Sequence, residues 1–495
     1  NFTGMPNLEY LNLLYCSNLE EVHHSLGCCR KLIRLSLYSC SHLKRFPCVN
    51  AESLESLDLI HCSSLEKFPE IHGRMKPEMQ IHMQRSGIRE LPSSIFQYQT
   101  HITELDLNGM LNLVALPSSI CRLKSLVILN VLGCSKLESL PEEIGDLENL
   151  EELDASCTLI SRPPSSIVRL NKLKSLSFGG FEHGVYFEFP PVAEGLRSLE
   201  ILNLSDCNVT DGGLPEDIGS LSSLKKLCLN GNNFERLPRS IVQLGALRYL
   251  NLTECERLTQ LPELPPELNV LHIDCLMALK SIHDLVTKRK KLQWVIFMPL
   301  YRKGLAHGDS IYNLFAHALF QNISSLRHGI FALDSLSESV FTIVHIEMKI
   351  PSWFHHQGTD RSVSVNLPGN WYIPDKFLGF AVCYSGRLVD TTAHLIPVCD
   401  DWMSWMSQNL VLSNHSKCDN NNNKKPSVIP LVGYEEGRMY AESIIHFFLV
   451  PLAVLWDTSK ANGKTPNDYG HIRLSFSGEM KKFGVRLLYK NEPTE

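Results

Sequence analysis

The chain has 495 residues, 44% of them hydrophobic and 20% charged, with a formal net charge of −6. That length predicts two or more folded units, the apolar fraction excludes a disordered chain, and the mild acidity gives no bulk attraction to nucleic acid. No apolar run reaches membrane-spanning length, the best being HFFLVPLAVLW from His446, which is short and broken by Pro451.

From the start the sequence repeats itself. LEYLNLLYC begins at Leu8, LIRLSLYSC at Leu32, LESLDLIHC at Leu54, LVILNVLGC at Leu126, LEILNLSDC at Leu199 and LRYLNLTEC at Leu247. Looser copies begin at Ile102, Leu150, Leu173, Leu224 and Leu268, and a damaged one runs from Glu78, in the first apolar place, to Met83. The starts of these twelve copies lie 21 to 26 residues apart. L-x-x-L-x-L closing on Cys or Asn at such a period is the leucine-rich repeat pattern. Alternation predicts a short strand with one buried face in each copy. One such unit cannot bury its face alone, so neighbours stack into a solenoid with a parallel sheet on the concave side. At about 4.8 Å per strand, the inner edge is roughly 50 Å long. The second half of the repeat, as in LVALPSSI from Leu113 and FERLPRSI from Phe234, carries a proline that suits a convex return path.

Cys16, Cys40, Cys62, Cys134, Cys207 and Cys255 share one slot, which Asn232 fills in the tenth copy. The slot calls for a small buried residue with some hydrogen-bonding capacity, which both types supply. These are expected to be reduced structural residues, since nothing like a C-x-x-C pair occurs in the chain. The eighth copy carries an insertion, GGFEHGVYFEFPPVAEGL from Gly179. A tolerated surface insertion and a binding protrusion explain it equally well.

The outward strand positions are where a solenoid meets a partner. Glu55, Asp58, Glu104, Asp106, Glu151, Glu152 and Asp154 make the middle acidic, and Lys174, Lys225, Lys226 and Arg248 make the far end basic. Tyr10, Tyr38 and Tyr249 add a residue type enriched at binding hot spots. For any single residue a solvated face is the ordinary explanation. As a set, the change of sign predicts a partner of complementary polarity, or a dock for other domains. Lysine at Glu104, Asp106 and Asp154 is expected to abolish recognition without unfolding the chain.

The repeats end near Ile282, giving a solenoid over 1–283 and a cap and helical connector over 284–339. Lys288 to Lys291 reads as a solvated face ahead of a nuclear-localisation patch, and Asp309-Ser310 as a helix N-cap. From 340 to 495 the period changes to short strands: FTIVHIEM, RSVSVNL, FLGFAVCY, QNLVLS, SIIHFFLV, HIRLSF and FGVRLLY. These predict a β-sandwich. The run Asn420 to Asn423 reads as a loop.

IPSWFHHQGTDRSVSVNLPGNWYIPDKFLGFAVCYSG, residues 350–386, closely resembles the post-repeat jelly-roll (C-JID) domain of plant TIR–nucleotide-binding–leucine-rich-repeat immune receptors. LPELPPELNVLHIDC (261–275), IHDLVTKRKKL (282–292) and WDTSKANGKTPNDYG (456–470) share that resemblance, which covers nearly the whole chain. It implies an α/β leucine-rich-repeat horseshoe followed by an all-β jelly roll. It implies a module that recognises a pathogen effector, viral ones included, docks on its own nucleotide-binding (NB-ARC) domain, and oligomerises with the activated receptor. The expected location is the cytoplasm, with the nucleus second, and neither membrane nor direct nucleic-acid binding is expected. The family's NAD-cleaving TIR domain and ATP/ADP site lie in domains this chain lacks, so no cofactor, metal or catalytic residue carries over. Asn1 opens partway through a repeat without a cap, which predicts the C-terminal part of a longer protein.

Catalytic motifs are poorly formed. Gly463-Lys464-Thr465 ends like a phosphate loop, but Thr458 stands where the first glycine belongs. His23-His24 and His355-His356 are adjacent, without i, i+4 ligand spacing. Gly308-Asp309-Ser310 lacks a nucleophile elbow. Two other readings remain at this point: an extracellular repeat receptor, for which Asn203-Leu-Ser and Asn251-Leu-Thr would be glycosylation sequons, and a substrate adaptor. The cysteine ladder and the L-P-x-x-I return speak against the first.

Overall fold

The structure is a computed structural model; it describes residues 1–96, 101–180, 186–193, 195–261, 263–274, 294–298, 341–344, 350–386, 390–399, 404–410, 444–450, 452–477 and 480–489. The chain divides into two units, Asn1–Leu268 and Asn269–Glu495.

The first unit is built on three-residue strands: β1 (Tyr10–Asn12), β2 (Arg34–Ser36), β3 (Cys48–Asn50), β4 (Ser56–Asp58), β5 (Glu70–His72), β6 (Gln80–His82), β7 (Glu104–Asp106), β8 (Ile128–Asn130), β9 (Glu152–Asp154), β10 (Ser175–Ser177), β11 (Ile201–Asn203), β12 (Lys226–Cys228) and β13 (Tyr249–Asn251). β1, β2, β4 and β6 pair in that order, and β7 to β13 form a second unbroken run. All of these pairs are parallel. The registers line up one leucine from nine of the repeats: Leu35 beside Leu57 in the first run, and Leu105, Leu129, Leu153, Leu176, Leu202, Leu227 and Leu250 in the second. These nine are buried, each contributing about 1.5–3 kcal/mol over an exposed leucine, while Leu11 and Ile81 hold the same place half-buried in the first and fourth copies. The damaged copy differs from expectation by one residue. Glu78 is exposed, and Met79, 2% exposed, takes the first apolar place. Burying an unpaired carboxylate would cost far more than shifting a methionine into the gap.

The return path uses short 3-10 turns. Ser93–Phe96, Ser118–Arg122, Ser165–Arg169 and Arg239–Gln243 each follow a proline and bury one isoleucine: Ile95, Ile120, Ile167 and Ile241. Two other turns, Ile144–Asp146 and Ile218–Ser220, put a glycine against the next repeat. A Cβ on Gly145 would stand 2.1 Å from the Ser166 carbonyl oxygen, and one on Gly219 2.2 Å from that of Ser240. The same glycine N–H groups donate to the Ser166 and Ser240 hydroxyls. Gly219→Ala must therefore push two repeats apart, and should lower stability by roughly 2 kcal/mol or more. Urea unfolding of the variant checks this; an unchanged midpoint would refute the close approach.

The described part of the insertion is folded back onto the solenoid. Phe187, Phe189 and Val192 are buried, Phe187 bridges Val209, and the Asp217 carboxylate accepts from the Val192 and Ala193 N–H groups.

In the second unit β14 (Val270–Asp274) and β15 (Trp294–Met298) pair in parallel. Nine strands follow: β16 (Phe341–Val344), β17 (His356–Gly358), β18 (Ser362–Asn366), β19 (Phe377–Gly386), β20 (Asp390–Pro397), β21 (Met406–Leu410), β22 (Ile444–Val450), β23 (Tyr469–Ser477) and β24 (Met480–Tyr489). They make two antiparallel sheets, ordered β16-β22-β19-β24-β17 and β18-β23-β20-β21. One core joins them, with Phe380, Val382 and Tyr384 from the first sheet and Ile472, Leu474 and Leu395 from the second. Trp371 lies in it at 2% exposure, and its indole N–H donates to the Tyr469 carbonyl at 2.9 Å. This is the expected sandwich, with β17 and β20 as strands the sequence did not announce. The basic run Lys288–Lys291, the helix expected after Asp309-Ser310, Gly308 and the asparagine run from Asn420 lie outside the described residues, as does the connector 284–339 apart from β15.

Candidate partner-binding surface

Each repeat makes its concave surface in the same nine places, counted from the first leucine. The fifth side chain ends the strand by accepting the N–H of the seventh residue, as Asn and Asp do in turns. Asn12, Asp58, Asp106, Asn130, Asp154, Asn203 and Asn251 all do this, at 2.9 to 3.1 Å. The eighth residue is then left-handed: Tyr15, Ser39, His61, Arg85, Cys157, Asp206 and Glu254 have φ between 56° and 60°, and Gly109, Gly133, Gly180 and Gly231 fill the place in the other copies where it is described. Only glycine adopts this conformation without steric cost.

The ninth place is the cysteine slot. Its residue bonds the sixth-place carbonyl of the preceding repeat: Cys40 to Leu13, Cys62 to Leu37, Cys134 to Leu107, Cys207 to Phe178 and Cys255 to Leu229, with sulfur–oxygen distances of 3.1 to 3.4 Å. Asn232 does more. Its Nδ2 donates to the Leu204 and Leu229 carbonyls, both at 2.8 Å, and its Oδ1 accepts from the Val209 N–H at 2.9 Å. Every cysteine among the described residues is free. Cys16, in the first copy, is exposed. Burial pushes the thiols of Cys62, Cys134 and Cys207 up to about 12, so they carry almost no thiolate near neutrality. Maleimide at pH 8 should label the exposed Cys16, Cys28 and Cys399 and leave Cys62, Cys134 and Cys207 unlabelled until the chain is unfolded. Equal labelling of Cys62 and Cys16 in the native chain, read by mass spectrometry, would contradict this.

The charged residues sort differently from their order in the sequence. Glu151 pairs with Lys174 at 2.6 Å, Glu200 with Lys225 at 2.8 Å, Glu267 with Arg248 at 3.2 Å and Glu55 with Lys76 at 3.2 Å. The bond to Glu151 holds the Lys174 ammonium pKa above its ordinary value. Three of the four cations read as a basic end are thus matched one to one by glutamates on adjacent turns. The fourth, Lys226, lies 5.0 Å from the centre of the Tyr249 ring. Tyr249 is itself only 8% exposed. Tyr38 packs edge-on between Tyr15 and His61, while Tyr10 is 60% exposed. Asp58 and Asp106 also accept from the Ser36 hydroxyl and the Gln84 amide. What remains is Glu104 and Glu152. Both are exposed, neither has a hydrogen bond or ion pair among the described residues, and both stand beside Ile128 by register.

The sequon asparagines Asn203 and Asn251 use the nitrogen a glycan would need, donating to Ser177 Oγ and Asn230 Oδ1 at 3.0 Å. In the second unit the GKT segment is a polar turn. Asn462 and Gly463 are left-handed, Lys464 donates to the buried Ser404 hydroxyl at 2.8 Å, and Thr465 and Asp468 cap the following 3-10 turn. His23 and His24 stack on each other at 4.3 Å. Burial lowers the His356 pKa. No group of three His, Cys, Asp or Glu side chains able to hold a metal occurs among the described residues, and no described helix is long and apolar enough to cross a membrane.

Residues 345–494 match the C-JID domain, residues 50–140 the leucine-rich repeats of disease resistance protein RPS4B-like proteins, and residues 198–221 a leucine-rich repeat. The chain is 70% identical over 493 residues to TMV resistance protein N of Nicotiana glutinosa, an alignment covering 100% of this chain and 41% of that protein. It belongs to the plant disease resistance proteins. Disease resistance-like protein DSC1 of Arabidopsis thaliana is 34% identical over 76% of this chain and 31% of its own length. Disease resistance protein RPS4 of the same plant is 29% identical over 76% of this chain and 28% of its own length. The chain thus spans well under half of the curated relatives it matches, and what it shares with them is repeats and C-JID domain, both recognition modules.

Proposed function

We propose that this chain is the recognition and autoinhibition part of an intracellular plant immune receptor. The end-to-end identity of 70% with TMV resistance protein N carries the reading. Recognition is by protein–protein contact. The concave face offers a pathogen effector the unpaired Glu104 and Glu152 around Ile128, and in the resting receptor the same solenoid restrains the nucleotide-binding domain. The nucleotide switch, the NAD chemistry and oligomerisation belong to the rest of such a receptor. The buried thiols and the engaged sequon nitrogens support a reducing compartment rather than an extracellular receptor.

The test is exchange. Residues 1–495 would replace the matching segment of TMV resistance protein N, with leaf cell death as the readout. A chimera silent at rest and triggered by viral challenge supports both parts of the reading. Constitutive death refutes autoinhibition, and silence under challenge refutes recognition.

A further inference from the structure

The four-stranded sheet of the C-JID domain turns one face into the core and the other outward. The registers lay the outward residues in rows across β18, β23, β20 and β21. One row is Ser362, Ser475 and Thr392; the next is Ser364, Arg473, His394 and Ser407; the third is Asn366 and His471. No carboxylate occupies any of these positions. Ser362, Ser364, Asn366, Ser407 and Arg473 are exposed, and Ser475, Thr392, His394 and His471 are half-buried between them.

Arg473 is the centre of the grid. It is exposed and forms no ion pair among the described residues, unlike Arg89, Arg169, Arg248 and Arg257 in the first unit. Its guanidinium is placed by stacking, 5.7 Å from the centre of the Trp405 ring. That leaves the planar fork of donors open on its outer side. The imidazoles around it are held sideways: His394 Nδ1 meets Ser407 Oγ at 2.7 Å, and His471 Nδ1 meets Asn366 Oδ1 at 2.8 Å. Hydroxyls of Ser364 and Ser407 complete a ring of short polar groups.

We propose that this outward face docks an acidic segment of a partner protein, with Arg473 taking a carboxylate. Charge complementarity argues for that occupant. A pre-placed guanidinium with no carboxylate in its own row or the adjacent rows favours a bidentate carboxylate, and flanking hydroxyls and imidazoles can bond its neighbours. The grid measures about 14 Å across and about 13 Å along the strands, room for a short segment rather than a whole domain. The inference concerns the C-JID domain alone and stands apart from the concave face of the repeats.

The experiment titrates the full chain with a fluorescent Glu-Ser peptide, its Gln-Ser counterpart, a heparin hexasaccharide and a single-stranded RNA, read by anisotropy at low salt. The acidic peptide should bind and the glutamine peptide should not. Arg473→Glu should weaken binding about tenfold or more, and so should Ser364→Glu, which sets a carboxylate directly across from Arg473. Lys460→Glu, away from the grid, should change nothing. Unchanged affinity in both Arg473→Glu and Ser364→Glu, or equal binding of the two peptides, overturns the proposal. Tighter binding of heparin or RNA than of the acidic peptide overturns it in favour of a polyanionic glycan or nucleic acid.

Discussion

Asn232→Leu should destabilise the repeat unit by roughly 3 kcal/mol, the largest single-residue loss expected in the ladder. Asn232 is fully buried and serves three backbone groups at once. Leucine fills the volume and serves none. The Leu229 carbonyl would keep the Cys255 thiol as a donor. The Leu204 carbonyl and the Val209 N–H would keep nothing comparable, and Val209 is 0% exposed, so water cannot replace the amide. Each orphaned group costs about 1–3 kcal/mol. Asn232→Cys should cost less. A thiol can still donate to Leu204, as its neighbours do in their own repeats, but it accepts poorly from Val209. Because each repeat touches only its neighbours, the damage should stay local. Hydrogen exchange would rise around Val209 and Leu204 and remain slow near Leu57. Unfolding midpoints ordered wild type, Asn232→Cys, Asn232→Leu are the expected result. A leucine variant as stable as wild type would mean that the amide bonds contribute nothing.

The sequence showed the repeats and the cysteine slot because both depend on residue type at a fixed spacing. It hid whatever depends on register between repeats. Glu151 and Lys174 are neighbours on adjacent turns, yet in sequence they fall into an acidic middle and a basic end. Only the pairing of β9 with β10 shows that the two cancel. The left-handed eighth place was half visible. Glycine at 109, 133 and 231 hints at it, but Tyr15, His61 and Glu254 bear the same φ with no glycine to mark it. There the surrounding ladder of hydrogen bonds overrides local preference. The fifth place carries more than its charge. Asp106 and Asp154 look like free charge on an outward position, and both are also turn residues. Lysine at these two sites would remove an N–H acceptor as well as a negative charge, so the triple reversal suggested by sequence mixes two effects. Seven of the nine C-terminal strands were legible from alternation; the short β17 was not, and neither was β20. Its run of threonines, alanine and histidine carries little apolar contrast, and Ala393 and Leu395 declare themselves core only once β23 lies beside them.

Glu104→Lys with Glu152→Lys is the reversal that separates recognition from folding, and it should abolish the effector response of a receptor carrying this chain. Both residues hold the third place of their repeats, at the start of β7 and β9, where neither turn bonds nor interstrand ion pairs depend on them. Asp106 and Asp154 stay in place and keep their bonds to Asn108 and Ser156. Unfolding free energy should therefore move by no more than about 0.5 kcal/mol. The binding consequence is larger. Two exposed negative charges become two positive ones around Ile128, and a basic partner group that was attracted is repelled, so affinity should fall by about tenfold or more. Asp106→Lys is the informative contrast, since it should reduce stability and response together. The double variant would be tested in the chimeric receptor, with cell death as one readout and thermal unfolding of the isolated chain as the other. A lost response with an unchanged melting curve places the effector on the concave sheet. An undiminished response would move the contact away from repeats five to seven, and the unpaired glutamates would then be ordinary solvated charges.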